Sequence, residues 1–198
     1  MSQLALFLSP LPLWGWLVLA FFLGSLPFSV WVGRARKVDP RRGGSKNPGA
    51  SNLGRLAGRR WGLLALLLDG GKGALVVGLS LHALELTESC LVGATAIVGH
   101  CFSPLLGFQG GRGVATTLGV FSVLDPPAAL LAGLFWPPVT VLSRRAAFGS
   151  LTMVFTLVVI TRRSGQPLAP HLLSIAVAIL ITVRHWEHIR RLFFSPRR

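Results

Sequence analysis

The chain has 198 residues, 52% of them hydrophobic and 13% charged, with a mean hydropathy of +0.62. An ordinary soluble domain carries roughly 25% charge, so a solvated globular surface is excluded, and the hydrophobicity excludes intrinsic disorder. The charge is one-sided, with 20 Lys and Arg against 6 Asp and Glu and a net charge of +14. On its own a pI near 12 suggests nucleic acid. With this hydropathy it indicates a membrane protein with basic cytoplasmic loops. Nucleic acid is set aside as a partner, because base-stacking aromatic pairs are missing near the basic runs and the chain has no Tyr.

A helix needs about 20 apolar residues to cross the hydrocarbon core. The first charge is Arg34. The uncharged start is too long for a signal-peptide core and has no basic beginning, so it reads as an uncleaved span. Further uncharged stretches cover 89–111, 126–143, 146–161 and 164–183, and 61–84 is apolar except for Asp69 and Lys72. The pattern predicts an all-α polytopic membrane protein with about seven helices, near 8–33, 58–84, 90–106, 113–124, 127–143, 146–161 and 169–186. The fourth is short for a span and reads as a half-helix or a thin crossing against protein. Cys90 and Cys101 read as buried thiols, having neither CxxC nor Cys/His ligand spacing.

Seven crossings put seventeen basic residues on one side, in the loops about 34–60, around 112 and 144–145, and in 184–198. Only Arg162 and Arg163 fall opposite, with Glu85, Glu88 and Asp125. The positive-inside rule then sets the N-terminus outside and the C-terminus in the cytoplasm. With no internal repeat evident, a single membrane-embedded domain over residues 1–198 is the simplest organisation.

Three segments on the basic side are unlike plain loops. Gly43-Gly44-Ser45-Lys46-Asn47-Pro48-Gly49-Ala50-Ser51-Asn52, followed by Arg55, is expected to lead directly into the second apolar helix. Glycines allow close backbone approach to an anion, Ser and Asn add neutral donors, and Lys46 and Arg55 add charge. A helix start after such a loop favours phosphate. A Gly/Pro turn with helix caps accounts for it equally well, and a Walker A motif is absent. Gly107–Thr117 repeats the theme, with Gly110, Gly111 and Gly113 flanking Arg112 before a helix, like an anion nest feeding a helix start; a structural glycine hinge is the alternative. In 184–191, His185 and His188 share a helical face and Arg184 can pair with Glu187. Ligands elsewhere are too sparse for a metal, and an amphipathic end with Trp186 at the headgroups also explains it.

Within the spans, Asp69 and Lys72 at i, i+3 are expected to pair with each other or to orient a glycine loop, packing support being the alternative. His100 reads as a polar core residue. His82 and His171 look peripheral. No Gly-x-Ser-x-Gly elbow and no HxxxxD motif occur, and acidic residues are too few for a two-metal site. Two cationic glycine loops and a histidine face on one side suit phosphorylated small molecules, with phosphate clamping and charge stabilisation as the main chemistry.

In order, GSKNPGASNLGR, DGGKG, GHCF, GFQGGRGVAT and RHWEHIRRL, with Gly24-Ser25-Leu26-Pro27 ahead of them, resemble the bacterial acyl-phosphate:glycerol-3-phosphate acyltransferases, the PlsY family. The resemblance covers residues 24 to about 192, nearly the whole chain. It implies a seven-helix enzyme of the bacterial cytoplasmic membrane whose active site faces the cytoplasm. The enzyme would move an acyl group from acyl phosphate to the 1-hydroxyl of sn-glycerol 3-phosphate, giving lysophosphatidic acid and phosphate. No cofactor and no metal are implied; beyond the two substrates and the bilayer, the partner to consider is the soluble enzyme that forms the acyl phosphate.

By the same resemblance, Ser45 and Arg55 occupy the first motif's essential serine and arginine, and Asn47, Ser51 and Asn52 add polar contacts to phosphate or acyl group. Gly110, Gly111 and Gly113 match the glycerol-phosphate loop, with Arg112 at its cationic position. His185 matches the last motif's histidine and Glu187 its structural acid. This chain departs from the family in three places. Arg112 stands for Lys, which changes donor geometry; His188 stands for Asn, which brings in a titratable ring; and Ser103 stands for a proline. The hydroxyl's proton goes either to the donor's own phosphate, the favoured route, or to His185 as base. Arg55 and Arg112 are expected to orient the two anions while backbone amides at Ser45 and Gly111 stabilise charge. The rival reading is a membrane transporter of an organic phosphate, which would need access from both faces and usually shows repeats.

Overall fold

The computed structural model describes residues 11–165 and 167–194, excepting the side chains of 187–189 and 191–194. Among the described residues there are nine α-helices and one 3-10 turn, and no strand. The chain divides into two compact units, Met1–Leu124 and Asp125–Arg198.

The first unit opens with α1 (Leu13–Ser25) and α2 (Phe28–Ala35), one apolar span interrupted at Leu26-Pro27, where proline brings no N–H to the helical ladder. The expected direct run from the first glycine loop into the second span is not what forms. A separate helix, α3 (Ala50–Ala57), intervenes, and the chain turns at Gly58, whose φ of +104° suits glycine, before α4 (Arg59–Ser80). Next come α5 (Leu86–Cys101), a 3-10 turn (Pro104–Leu106) and α6 (Val114–Leu124). Glu85 and Glu88 form a reciprocal capping box that starts α5. α1 packs on α5, and α4 on α6. Both crossings demand glycine: a Cβ at Gly24 would strike the backbone of Ala96, and one at Gly119 the backbone of Gly70. Small residues that let backbones meet are the usual basis of helix association in lipid. Around them Trp16, Val30, Leu53, Val76, Ile97 and Phe121 are fully buried.

The second unit holds α7 (Pro126–Ser143), α8 (Ala146–Arg163) and α9 (Leu168–Phe194). Asp125 caps α7, accepting from the Ala128 amide at 3.1 Å, and its other oxygen accepts from Ser164 at 2.9 Å. Pro137 and Pro138 lie inside α7, which continues through them to Arg144 in the left-handed region. α8 packs against both α7 and α9 around Met153, Val154, Leu157 and Ile181.

Six helices among the described residues are long and apolar enough to cross a membrane. α6, with 11 residues, reaches only about 16 Å, roughly half the hydrocarbon thickness, in keeping with the short fourth element expected. Leu67, Leu130, Leu134 and Leu142 point outward. In water they would be a liability; in lipid they are the solvent-facing surface of a multi-pass membrane protein.

Candidate active site

The segment from Asp39 to Arg55 is organised by one buried side chain. The Asn52 amide donates to the carbonyls of Pro40, Gly43 and Asn47 at 2.8, 3.0 and 3.1 Å. Its oxygen accepts from the Ser45 amide at 3.0 Å and from Arg55 Nη2 at 3.2 Å. Both ends of the Asn52 carboxamide are committed to shaping the loop, which is how a 1%-exposed polar group is kept in a fold. Arg55 reaches back from α3, donating to Ser51 Oγ at 3.0 Å and to Ser45 Oγ at 3.4 Å. Ser45, Lys46 and Arg55 are exposed, so the loop presents a hydroxyl and two cations outward. Lys46 sits at φ +57°, a conformation costing a non-glycine residue about 1 kcal/mol and held here by its neighbours. Asn47 is half-buried, and its carbonyl is one of the three that Asn52 gathers. Ahead of the loop, Arg41 grips Asp39 through Nε and Nη2 at 3.0 and 2.6 Å. Those side-chain hydrogen bonds hold the Asp39 carboxyl at about 2, against an ordinary 3.8.

Asp69 and Lys72 do pair, Nζ to Oδ1 at 2.9 Å, and both are buried. Lys72 also donates to the Leu26 carbonyl in the break of the first span at 2.7 Å, and Ser29 donates to Asp69 Oδ2 at 2.7 Å. His100 Nδ1 lies 3.7 Å from Asp69 Oδ1. A charge pair in the apolar interior is stable only with such supplementary hydrogen bonds. The glycine loop adjoins this cluster. Gly111 donates its amide to the His100 carbonyl at 3.0 Å, and Gly110 to that of Cys101 at 3.1 Å. Gly113, at φ +86°, starts α6, and Arg112 is partly exposed. The amides of Ser45 and Gly111, the expected charge-stabilising donors, here serve protein acceptors.

In the second unit His185 is 2% exposed, and its Nδ1 donates to the Ile181 carbonyl at 2.8 Å. That bond places a proton on Nδ1, since the carbonyl can only accept. Glu187 and His188 belong to α9, but their side chains, and with them the expected Arg184–Glu187 pair, lie outside the described residues. Among the described residues no group of three His, Cys, Asp or Glu could hold a metal ion. Cys90 and Cys101 are both buried and form no disulfide.

Residues 14–195 match the sequence model of the glycerol-3-phosphate acyltransferase family. The chain belongs to the glycerol-3-phosphate acyltransferase family. It is 39% identical over 183 residues to the glycerol-3-phosphate acyltransferase of Maridesulfovibrio salexigens, covering 89% of this chain and 91% of that one. It is 40% identical over 184 residues to that of Myxococcus xanthus, covering 91% and 94%. Among solved structures it is similar to PlsY (YgiH), an integral membrane glycerol 3-phosphate acyltransferase. The glycerol 3-phosphate form has a TM-score of 0.84 at 31% identity, covering 95% of this chain and 91% of that one. The lysophosphatidic acid form has a TM-score of 0.83 at 30% identity with the same coverage. None of these relatives supports the transporter reading.

Within the acyltransferase family frame, Ser25, Ser103 and Thr116 brace the motifs through hydrogen bonds whose partners the motifs do not announce. Ser103 donates to the Ser25 carbonyl at 2.6 Å, Ser25 donates to the Phe21 carbonyl at 2.7 Å, and Thr116 donates to the Asp69 carbonyl at 3.0 Å. Ser103 thus ties the turn after α5 to the end of α1. Single serines and threonines in apolar helices carry no spacing signal that sequence could have exposed.

Proposed function

We propose that this chain transfers a fatty acyl group from acyl phosphate to the 1-hydroxyl of sn-glycerol 3-phosphate, acting over residues 1–198 as one membrane-embedded acyltransferase domain. The observation that carries the reading is the Arg55 fork across Ser51, Ser45 and Asn52, which holds a cation and a hydroxyl outward on an ordered loop inside a family-matching sequence. In the reaction the glycerol oxygen bonds to the acyl carbon, the carbonyl carbon–phosphate oxygen bond breaks, and phosphate leaves with the electron pair. The acyl phosphate is already activated, so positioning and charge stabilisation supply most of the catalysis. The hydroxyl proton passes to the donor's phosphate, with His185 as the competing base.

Arg55, Lys46 and Arg112 are assigned to the two anions, and Ser45, Asn47 and Ser51 to polar contacts with the donor. Gly110, Gly111 and Gly113 shape the acceptor's loop, His188 joins the binding set, and Glu187 supports it. Asn52 is assigned to loop support. The basic loops face the cytoplasm in this reading, with seven crossings of the bacterial inner membrane and the N-terminus outside. The test is the purified protein in lipid with palmitoyl phosphate and glycerol 3-phosphate, following phosphate and lysophosphatidic acid. Stoichiometric formation of both is expected. Uptake of glycerol 3-phosphate into sealed vesicles without acyl transfer would overturn the reading. Arg55→Lys, which keeps charge but loses the fork, is expected to lower kcat/KM by about 10-fold or more; near-full activity would remove the clamp.

A further inference from the structure

We propose that His100 is a positioning residue for the acceptor loop, and that glycine is required at 111 to admit its ring rather than to bring substrate to the backbone. The inference rests on the acyltransferase reading above and concerns how that site is held. Glycine in a cationic loop ordinarily suggests that a ligand approaches the main chain. Here the open side of the glycines faces protein. A Cβ at Gly111 would strike His100 Nε2, with Cε1 and Cδ2 at 2.9 and 3.0 Å. A Cβ at Gly110 would strike the His100 carbonyl, with the Cys101 carbonyl oxygen at 2.8 Å. The amides of both residues donate to the carbonyls of Cys101 and His100, so these N–H donors are also turned inward.

The ring is clamped from two directions. Nδ1 faces the Asp69 carboxylate at 3.7 Å, and the Nε2 edge lies against Gly111. Asp69 is itself held by Ser29 at 2.7 Å and Lys72 at 2.9 Å, and Lys72 anchors on the Leu26 carbonyl. Thr116, one turn beyond the loop, donates to the Asp69 carbonyl at 3.0 Å. The chain of contacts therefore runs from the break in the first span, through α4, to His100 and then to the loop that carries Arg112. A ring 8% exposed between a fixed carboxylate and a Cβ-free backbone has one position available, and the loop follows it. The consequence is that the backbone on either side of Arg112 takes its position from the buried ion pair.

A double-mutant cycle on the full-length protein in lipid tests this: Gly111→Ala, His100→Ser, and both together. Gly111→Ala should raise the KM for glycerol 3-phosphate by about 10-fold or more, with the KM for palmitoyl phosphate nearly unchanged. His100→Ser makes room for the new methyl, so the double variant should return to within about 3-fold of His100→Ser alone. Multiplied defects in the double variant, or a Gly111→Ala defect that falls equally on both substrates, would overturn the proposal. Melting temperature gives a second readout that needs no activity. Gly111→Ala should lower it with His100 present and much less in the His100→Ser background; an equal loss in both would sink the packing claim. If Gly111→Ala does not fold, recovery of folded protein in the double variant is the expected result, and failure to recover counts against it. Absent acyl transfer by the unmutated protein would refute the acyltransferase reading alone, leaving the melting cycle to judge His100.

Discussion

Asn52 spends one carboxamide on five partners: the carbonyls of Pro40, Gly43 and Asn47, the Ser45 amide and Arg55. A carboxylate in its place would face three carbonyl oxygens with no proton to offer, and each lost buried hydrogen bond costs about 1–3 kcal/mol. Asn52→Asp should therefore lower acyl transfer by at least about 10-fold and open residues 40–47 to limited proteolysis; a loop as protected as in the unmutated protein would contradict this. Asp39 makes a pH prediction. Its carboxyl is held at about 2, below the ordinary 3.8, by the side-chain hydrogen bonds from Arg41. A depressed carboxyl stabilises fully above its unfolded value and loses that stabilisation as pH falls through its folded one. The Asp39–Arg41 pair should thus be intact at neutral pH, weaken below 3.8 and be lost below about 2. A carbon NMR titration of the carboxylate should show the low midpoint, and Arg41→Ala should raise it; a midpoint near 4 in the unmutated protein would refute the assignment.

At the scale of elements, the buried Asp69–Lys72 pair braces α4 against the break between α1 and α2. Removing one partner leaves an uncompensated charge in an apolar interior, which typically costs about 3–5 kcal/mol, whereas replacing both by apolar groups can be nearly neutral. Asp69→Asn should lower the melting temperature in lipid, and Asp69→Asn with Lys72→Met should recover much of the loss. Equal melting of the two variants would show that the pair is not the source of the stability. The i, i+3 spacing made this pair legible in advance, because it is local. Its ties to Ser29, His100 and Leu26 were not, because they join residues 31 to 46 positions apart along the chain. The helix α3 was equally hidden: with residues as mixed as Gly54, Arg55 and Leu56, it forms because Asn52 and Leu53 are buried against neighbours.

For the whole molecule, the seventeen cations on one predicted side argue for an odd number of crossings, with α6 counted as a thin one. Single cysteines at Lys37 and Arg144, in a Cys90→Ala, Cys101→Ala background that retains activity, should react with impermeant maleimide only from the cytoplasmic face. Cysteines at His82 and Arg163 should react only from outside. Labelling of Lys37→Cys and Arg144→Cys from opposite faces would break the topology. Membrane character, the apolar segments and the family were readable from sequence, since hydropathy and ordered motifs are one-dimensional properties that survive in a string of letters. Which amides remain for a substrate was not readable. The Ser45 and Gly111 amides look like phosphate donors in a motif and prove to be engaged by Asn52 and His100. A backbone donor's availability depends on every acceptor brought within 3 Å of it by folding, and only the tertiary structure sets that distance.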